Sequence, residues 1–202
     1  MPETPAPKVS PRSRRCVRPT CRTAVGPAFR PRPIVAALLL GTWLGIPLPA
    51  AAQLPVGPSV ASGTATVGVV GSQMTVTNSP SAIINWQGFS IGAGYGVHFA
   101  QQSAASQVLN RVTGKDPSYI LGTLTSNGGV WLINPYGIVF GKGARIDVGS
   151  LVASTLDIAD ADFLANRFNF TATGPAGASV ANHGEIRTSF GGRAWLLGDQ
   201  VG

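Results

Sequence analysis

The chain has 202 residues and a formal net charge of +7, yet only 11% of them are Asp, Glu, Lys or Arg, against about a quarter in average proteins. Its positive excess sits in the first 33 residues, where Lys8, Arg12, Arg14, Arg15, Arg18, Arg22, Arg30 and Arg32 face Glu3 alone. Beyond residue 52, Arg111, Lys115, Lys142, Arg145, Arg167, Arg187 and Arg193 cancel Asp116, Asp147, Asp157, Asp160, Asp162, Glu185 and Asp199, which removes the electrostatic case for a nucleic-acid partner.

Residues 1–33 interleave those cations with prolines and cannot build a core, so a disordered basic leader is expected. From 34 to 46 the chain reads IVAALLLGTWLGI, and Pro47 and Pro49 then precede Ala50-Ala51-Ala52. A basic region, a short apolar region and an A-x-A site predict a secretory signal peptide handled by the Sec export machinery. Cleavage is expected between Ala52 and Gln53, with Ala50 and Ala52 as the small residues of the site. The apolar run is too short for a comfortable membrane span. Both cysteines, Cys16 and Cys21, would leave with the leader, so no disulfide can lock the mature chain in an oxidising periplasm. About 150 mature residues suffice for one domain with a real core.

Residues 53–62, with Pro55 and Pro58, read as an extended start. Residues 65–70 and 73–77 predict a hairpin around Gly71-Ser72. It is placed to cap a first coil whose strand edges would otherwise recruit other chains. Strands are expected at 83–86, 89–91 and 97–100, with glycines between them. Residues 103–112 fit a short helix or another rung. Asp116-Pro117-Ser118 marks a turn, and 119–124 resumes the strands.

The stretch 127–155, NGGVWLINPYGIVFGKGARIDVGSLVAST, holds three apolar runs, at 130–133, 138–140 and 146–148. Each starts eight residues after the one before. Strands this short, divided by Gly and Asn, cannot stand as hairpins or feed crossover helices. Stacked as coils they pair edge to edge at about 4.8 Å, and their inward Val, Ile, Leu and Phe join one column. The predicted fold is therefore all-β: a right-handed parallel β-helix, or solenoid, with an N-terminal β cap. Asn134-Pro135-Tyr136-Gly137 suits a type I turn, and Ile138 returns to the core. Gly141, Gly143 and Gly149 mark further corners, with Lys142 and Arg145 outward and Phe140 and Ile146 inward.

Residues 160–167 place acids first and Arg last, as one or two turns of helix do. Residues 168–172 and 178–180 return to strand, and 182–198 read as one more coil. Gly202 falls where a further coil is expected, so the chain reads as a fragment, a truncated frame or a minimal secreted product.

Conventional chemistry finds little support. His98 and His183 are the only histidines and make no metal site. Asp157, Asp160 and Asp162 crowd together but lack the Gly and distal Glu of a calcium loop, and helix capping would explain two of them. Residues 137–143 lack the Ser or Thr that must follow the lysine of a phosphate loop, and Gly92-Ala93-Gly94-Tyr95-Gly96 lacks dinucleotide spacing. No G-x-S-x-G elbow occurs. Asn169-Phe170-Thr171 is formally a glycosylation triplet. No cofactor is expected.

NPYGI with FGKGARIDVGSLVASTLDI, together with IINWQGFSIG (83–92) and LNRVTGKDPSYILGTL (109–124), resembles the two-partner-secretion (TPS) or haemagglutination activity domain of filamentous haemagglutinin-like exoproteins. The likeness runs from about Gly63 to the last residue. The family's usual motif is NPNGI, so Tyr136 replaces its central Asn; its NPNL motif is absent, FAQQSAASQVLNRV standing in that region. The resemblance implies a non-enzymatic export domain, secreted to the bacterial surface through the periplasm. Its implied partner is an outer-membrane transporter with POTRA domains that reads Asn134, Pro135, Tyr136, Gly137 and Ile138. A distal part absent from this chain would contact host-cell or glycan surfaces. Alternatives are a self-sufficient β-helix adhesin, against which no aromatic cluster is visible in the sequence, and a carbohydrate-active β-helix enzyme, for which the acids are sparse.

Overall fold

A computed structural model describes residues 54–202. The basic leader, the apolar segment and the cleavage positions Ala50, Ala52 and Gln53 lie outside the described residues. The first strands are β1 (Ser59–Ser62), β2 (Ala65–Val70), β3 (Gln73–Asn78), β4 (Ala82–Trp86), β5 (Gly96–Gln101) and β6 (Gln107–Val112). Next come β7 (Ser118–Ile120), β8 (Thr123–Ser126), β9 (Gly129–Ile133), β10 (Ile138–Phe140), β11 (Arg145–Val148), β12 (Ser150–Ser154) and β13 (Leu156–Ile158). A short helix, α1 (Asp160–Leu164), precedes β14 (Phe170–Ala172), β15 (Ser179–Asn182), β16 (Glu185–Thr188), β17 (Ala194–Leu197) and β18 (Gln200–Val201).

These strands stack into a parallel β-solenoid with three faces. The first sheet runs β1-β4-β6-β9-β12-β17, the second β7-β10-β15-β18 and the third β2-β3-β5-β8-β11-β16. The three apolar runs of the central stretch are the three sides of one coil, β9, β10 and β11, one on each sheet. Eight residues is thus the length of a side. The coil repeat is set by the register, in which Gln107 faces Gly129 and Gly129 faces Ser150.

The expected cap is present. β2 pairs antiparallel with β3, Val70 opposite Gln73 across Gly71-Ser72, and it ends the third sheet. The extended start adds a second cap: β1 pairs antiparallel with β4 and ends the first sheet. Residues 103–112 resolve to a rung, because Val108, Asn110 and Val112 alternate into the interior while a helix would scatter them. Residues 89–91 do not form the expected strand. They lie beyond β7, the last strand of the second sheet, and meet its edge where Ile91 bridges Ile120 and Ser90 Oγ accepts the Tyr119 N–H at 3.0 Å.

The interior is lined by in-register columns from each sheet. On the third, Met74, Val97, Leu124, Ile146 and Ile186 lie in register, and all but Ile186 are buried. Each fully buried side chain of this kind contributes about 1.5 to 3 kcal/mol before chain entropy is subtracted. On the first sheet Ile84, Asn110, Leu132, Ala153 and Leu196 form one inner column, and Ala82, Val108, Val130 and Leu151 another. Buried Asn110 is satisfied there: it accepts from Trp86 Nε1 at 3.0 Å and donates to the Trp131 carbonyl at 3.2 Å.

A second core lies outside the coil. Ile83, Leu109, Trp131, Val152 and Trp195 are register neighbours on the outward side of the first sheet. An excursion made of the antiparallel pair β13–β14 with α1 covers them, placing Ile158, Phe163 and Phe170 against that column. This sheet is apolar on both faces, so its strands read as unbroken apolar runs rather than alternating ones. β14 belongs to the excursion and not to a coil.

Candidate functional site

The NPYG corner joins β9 to β10. Leu132 and Ile138 anchor it in the core on either side, both with no exposed area. The Gly137 N–H donates to the Asn134 carbonyl at 3.1 Å and closes the turn. Gly137 has φ +118, a conformation that disfavours any residue with a Cβ.

Asn134 is fully buried, and both ends of its amide are occupied. Its Oδ1 accepts the Tyr136 N–H at 2.9 Å. Its Nδ2 donates to the Asp116 carbonyl at 3.0 Å and the Ser118 Oγ at 2.9 Å, both on the preceding coil. Its backbone N–H donates to the Ser154 carbonyl of the following coil at 2.9 Å. One residue therefore ties three coils together at one corner. Ser118 N–H in turn donates to the Gly137 carbonyl at 2.9 Å.

Pro135 and Tyr136 are half-buried, so they are the parts of the motif a partner of the folded domain could touch. Of the other corner glycines, Gly149 is there for close approach. A Cβ on it would sit 2.8 Å from the Gly128 carbonyl carbon of the previous coil. Lys142 and Arg145 point outward and Phe140 and Ile146 inward.

Two acids of the excursion converge on one arginine. Arg111, on β6, takes Asp157 at 2.9 Å and Asp160 at 2.7 Å, and donates to the Ile158 carbonyl at 2.6 Å. Burial works against its charge, but the hydrogen bonds and charges of the two carboxylates outweigh it and raise the guanidinium pKa. Arg167 holds Asp162 at 2.7 Å, and with Asn169 it lowers that carboxyl's pKa. Capping does not account for these acids as expected, since the helix N-cap is Ala159, without a side-chain cap bond. Their roles are pairing with Arg111 and Arg167.

An aromatic cluster absent from the sequence reading is assembled on the outer face. Trp131 lies edge-on to Phe163 at 5.2 Å and stacks with Phe168 at 5.6 Å and Phe170 at 5.9 Å, while Phe168 meets Trp195 at 5.3 Å. The available signal was a Trp inside two strand runs, third in GVWLI and second in AWLL, whose neighbours already fill the inner face.

The fold agrees with known proteins. The family model described as TPS secretion domain matches residues 51–201. A heme/hemopexin-binding protein of Haemophilus influenzae (strain ATCC 51907 / DSM 11121 / KW20 / Rd) is 40% identical over 126 residues, covering 62% of this chain and 14% of that protein. A second heme/hemopexin-binding protein of Haemophilus influenzae is 33% identical over 140 residues, covering 68% of this chain and 15% of its own length. The crystal structure of the HMW1 secretion domain from Haemophilus influenzae superposes with a TM-score of 0.64 at 44% identity, over 65% of this chain and 36% of that one. This chain thus spans a small part of the curated relatives it matches. Domains of this kind belong to exoproteins that cross the outer membrane to the cell surface or the extracellular space, and they imply a cognate outer-membrane transporter. With a solenoid, a capped N-terminal end, a buried NPYG corner and a family match over most of its length, the chain belongs to the TPS secretion domain family.

Proposed function

We propose that Asn134, Pro135, Tyr136, Gly137 and Ile138 are read by the POTRA domains of the cognate transporter while the chain is still unfolded in the periplasm. The observation that carries this reading is the complete burial of Asn134 and Ile138. A transporter that recognises those side chains meets them only before the coil closes. Sec export and cleavage between Ala52 and Gln53 deliver the segment, and its strand propensity lets it add to a free sheet edge. Outside the cell the same residues become the corner. Burial of each coil then opposes backward sliding, with no nucleotide at the surface.

The adhesive or ligand-binding work of a full exoprotein, including haem or hemopexin binding of the kind the relatives' names state, is assigned to parts this chain does not span. Host-cell or glycan surfaces would be met there. The test compares secretion of wild type, Asn134→Ala and Ser118→Ala in cells with the transporter. Ser118→Ala loosens the same corner without touching the motif. Asn134→Ala should lower export several-fold and Ser118→Ala should not. Equal export of all three, or equal loss in both variants, would overturn recognition of the motif.

A further inference from the structure

We propose that the corner where the capping hairpin meets the first rungs of the third sheet binds a monovalent metal cation, of the sodium or potassium class. A pocket of about 370 Å³ lies there, where β2, β3 and β5 run side by side. Asn78, the last residue of β3, and Gln101, the last of β5, both line it and are register partners. Each alternates to the buried side of its strand, and they are 3% and 7% exposed.

The nitrogen of each amide fixes where its oxygen goes. Asn78 Nδ2 donates to the Ser79 carbonyl at 2.9 Å. Gln101 Nε2 donates to the Gly129 carbonyl at 2.8 Å and to Ser126 Oγ at 3.0 Å, and that hydroxyl gives its own proton to the Phe99 carbonyl. Turning either amide over would set its oxygen against a carbonyl. Asn78 Oδ1 and Gln101 Oε1 therefore hold their places, both buried and, among the described residues, both without a hydrogen-bond partner. Gly128 preserves this arrangement, since a Cβ there would lie 2.9 Å from Gln101 Nε2.

Buried acceptors without a donor are costly, and this corner has two of them in adjacent rungs. Two carbonyl oxygens carry four lone pairs. A single bridging water supplies two protons and leaves half of them unmet, whereas a cation gathers oxygens by charge. The surrounding chain offers no positive group of its own, because residues 54–110 contain no Asp, Glu, Lys or Arg. Thr64, Thr66, Thr77 and Ser79 line the same pocket and add hydroxyl oxygens. The lining selects the charge of the ion. Calcium and magnesium sites draw on carboxylates, and none lines this pocket, while neutral carbonyl oxygens suit a monovalent ion. Bound there, the ion joins the inner strand of the capping hairpin to the next rung.

The test melts the secreted protein in sodium, potassium and choline chloride at one ionic strength. With the cation about tenfold above its dissociation constant, the midpoint should stand about 3 to 5 °C higher in sodium or potassium than in choline. Sodium-23 resonance lines, read on the folded protein, should broaden in its presence and narrow again as potassium is added. Asn78→Ala should abolish both responses. Asn78→Asp keeps an oxygen and adds charge, so it should enlarge them and admit calcium. Asn85→Ala removes the other unpaired buried oxygen, which does not line the pocket, and should leave both responses in place. Equal midpoints in all three salts, as a bridging water alone would give, would overturn the proposal. So would wild-type responses in Asn78→Ala, or calcium stabilising the wild type more than sodium and potassium do.

Discussion

Asn134 shows how much one side chain can settle when it is buried with a fixed set of partners. Its carbonyl oxygen and its amide nitrogen are both committed, to Tyr136 N–H on one side and to Asp116 and Ser118 on the other. Asn134→Ala would leave those groups unpaired inside the stack. The expected loss is about 2 to 3 kcal/mol, read as a lower urea midpoint of the purified domain. Tyr136→Asn restores the family's usual NPNG, keeps the backbone donor and changes only a half-buried side chain. It should shift stability by less than about 0.5 kcal/mol in the same measurement. A large effect at Tyr136 would mean that its ring is holding the corner.

At the scale of elements, the excursion between β12 and β15 is what makes the first sheet apolar on both sides. Phe163 is the buried residue of α1 and packs edge-on against Trp131. Helix propensity is a poor account of a five-residue helix, which is far below the length that is stable alone. Its order comes from the column beneath it and from the hold of Arg111 on Asp157 and Asp160. Phe163→Ala should cost about 3 kcal/mol in thermal or urea unfolding, and the uncovered face should bind a hydrophobic dye. Unchanged stability would show the excursion to be ornament on a self-sufficient coil.

For the whole molecule, the solenoid is a sum of neighbour contacts, since each coil touches only the coils beside it. Residues 54–202 carry no cysteine, so no disulfide within them prevents transit as an open chain. A disulfide between coils tests this directly. Asp147 and Arg187 face each other on β11 and β16, both exposed, at the spacing of adjacent parallel strands, about 4.8 Å. That distance suits a disulfide. The double substitution Asp147→Cys, Arg187→Cys should block secretion under oxidising conditions, and a reductant added during expression should restore it. Secretion indifferent to the cross-link would show that the domain crosses already folded.

By itself the sequence determined the class of fold, the capping hairpin, the NPYG corner and the inward residues of β9, β10 and β11. All of these follow from local rules: period-two alternation, turn residues with their own backbone preferences, and glycine where space is short. The tertiary structure decided what depends on residues far apart in the chain. The eight-residue spacing suggested short strands stacked as rungs; only the sheet order showed it to be the side of a coil, and the pairing of Gln107, Gly129 and Ser150 fixed the circumference. An apolar run such as VWLI has no period from which to read a second buried face, so the outer column stayed hidden until β13, α1 and β14 folded back over it. The aromatic cluster is hidden for the same reason: Trp131, Phe168 and Trp195 become neighbours only when successive coils stack and the excursion folds back.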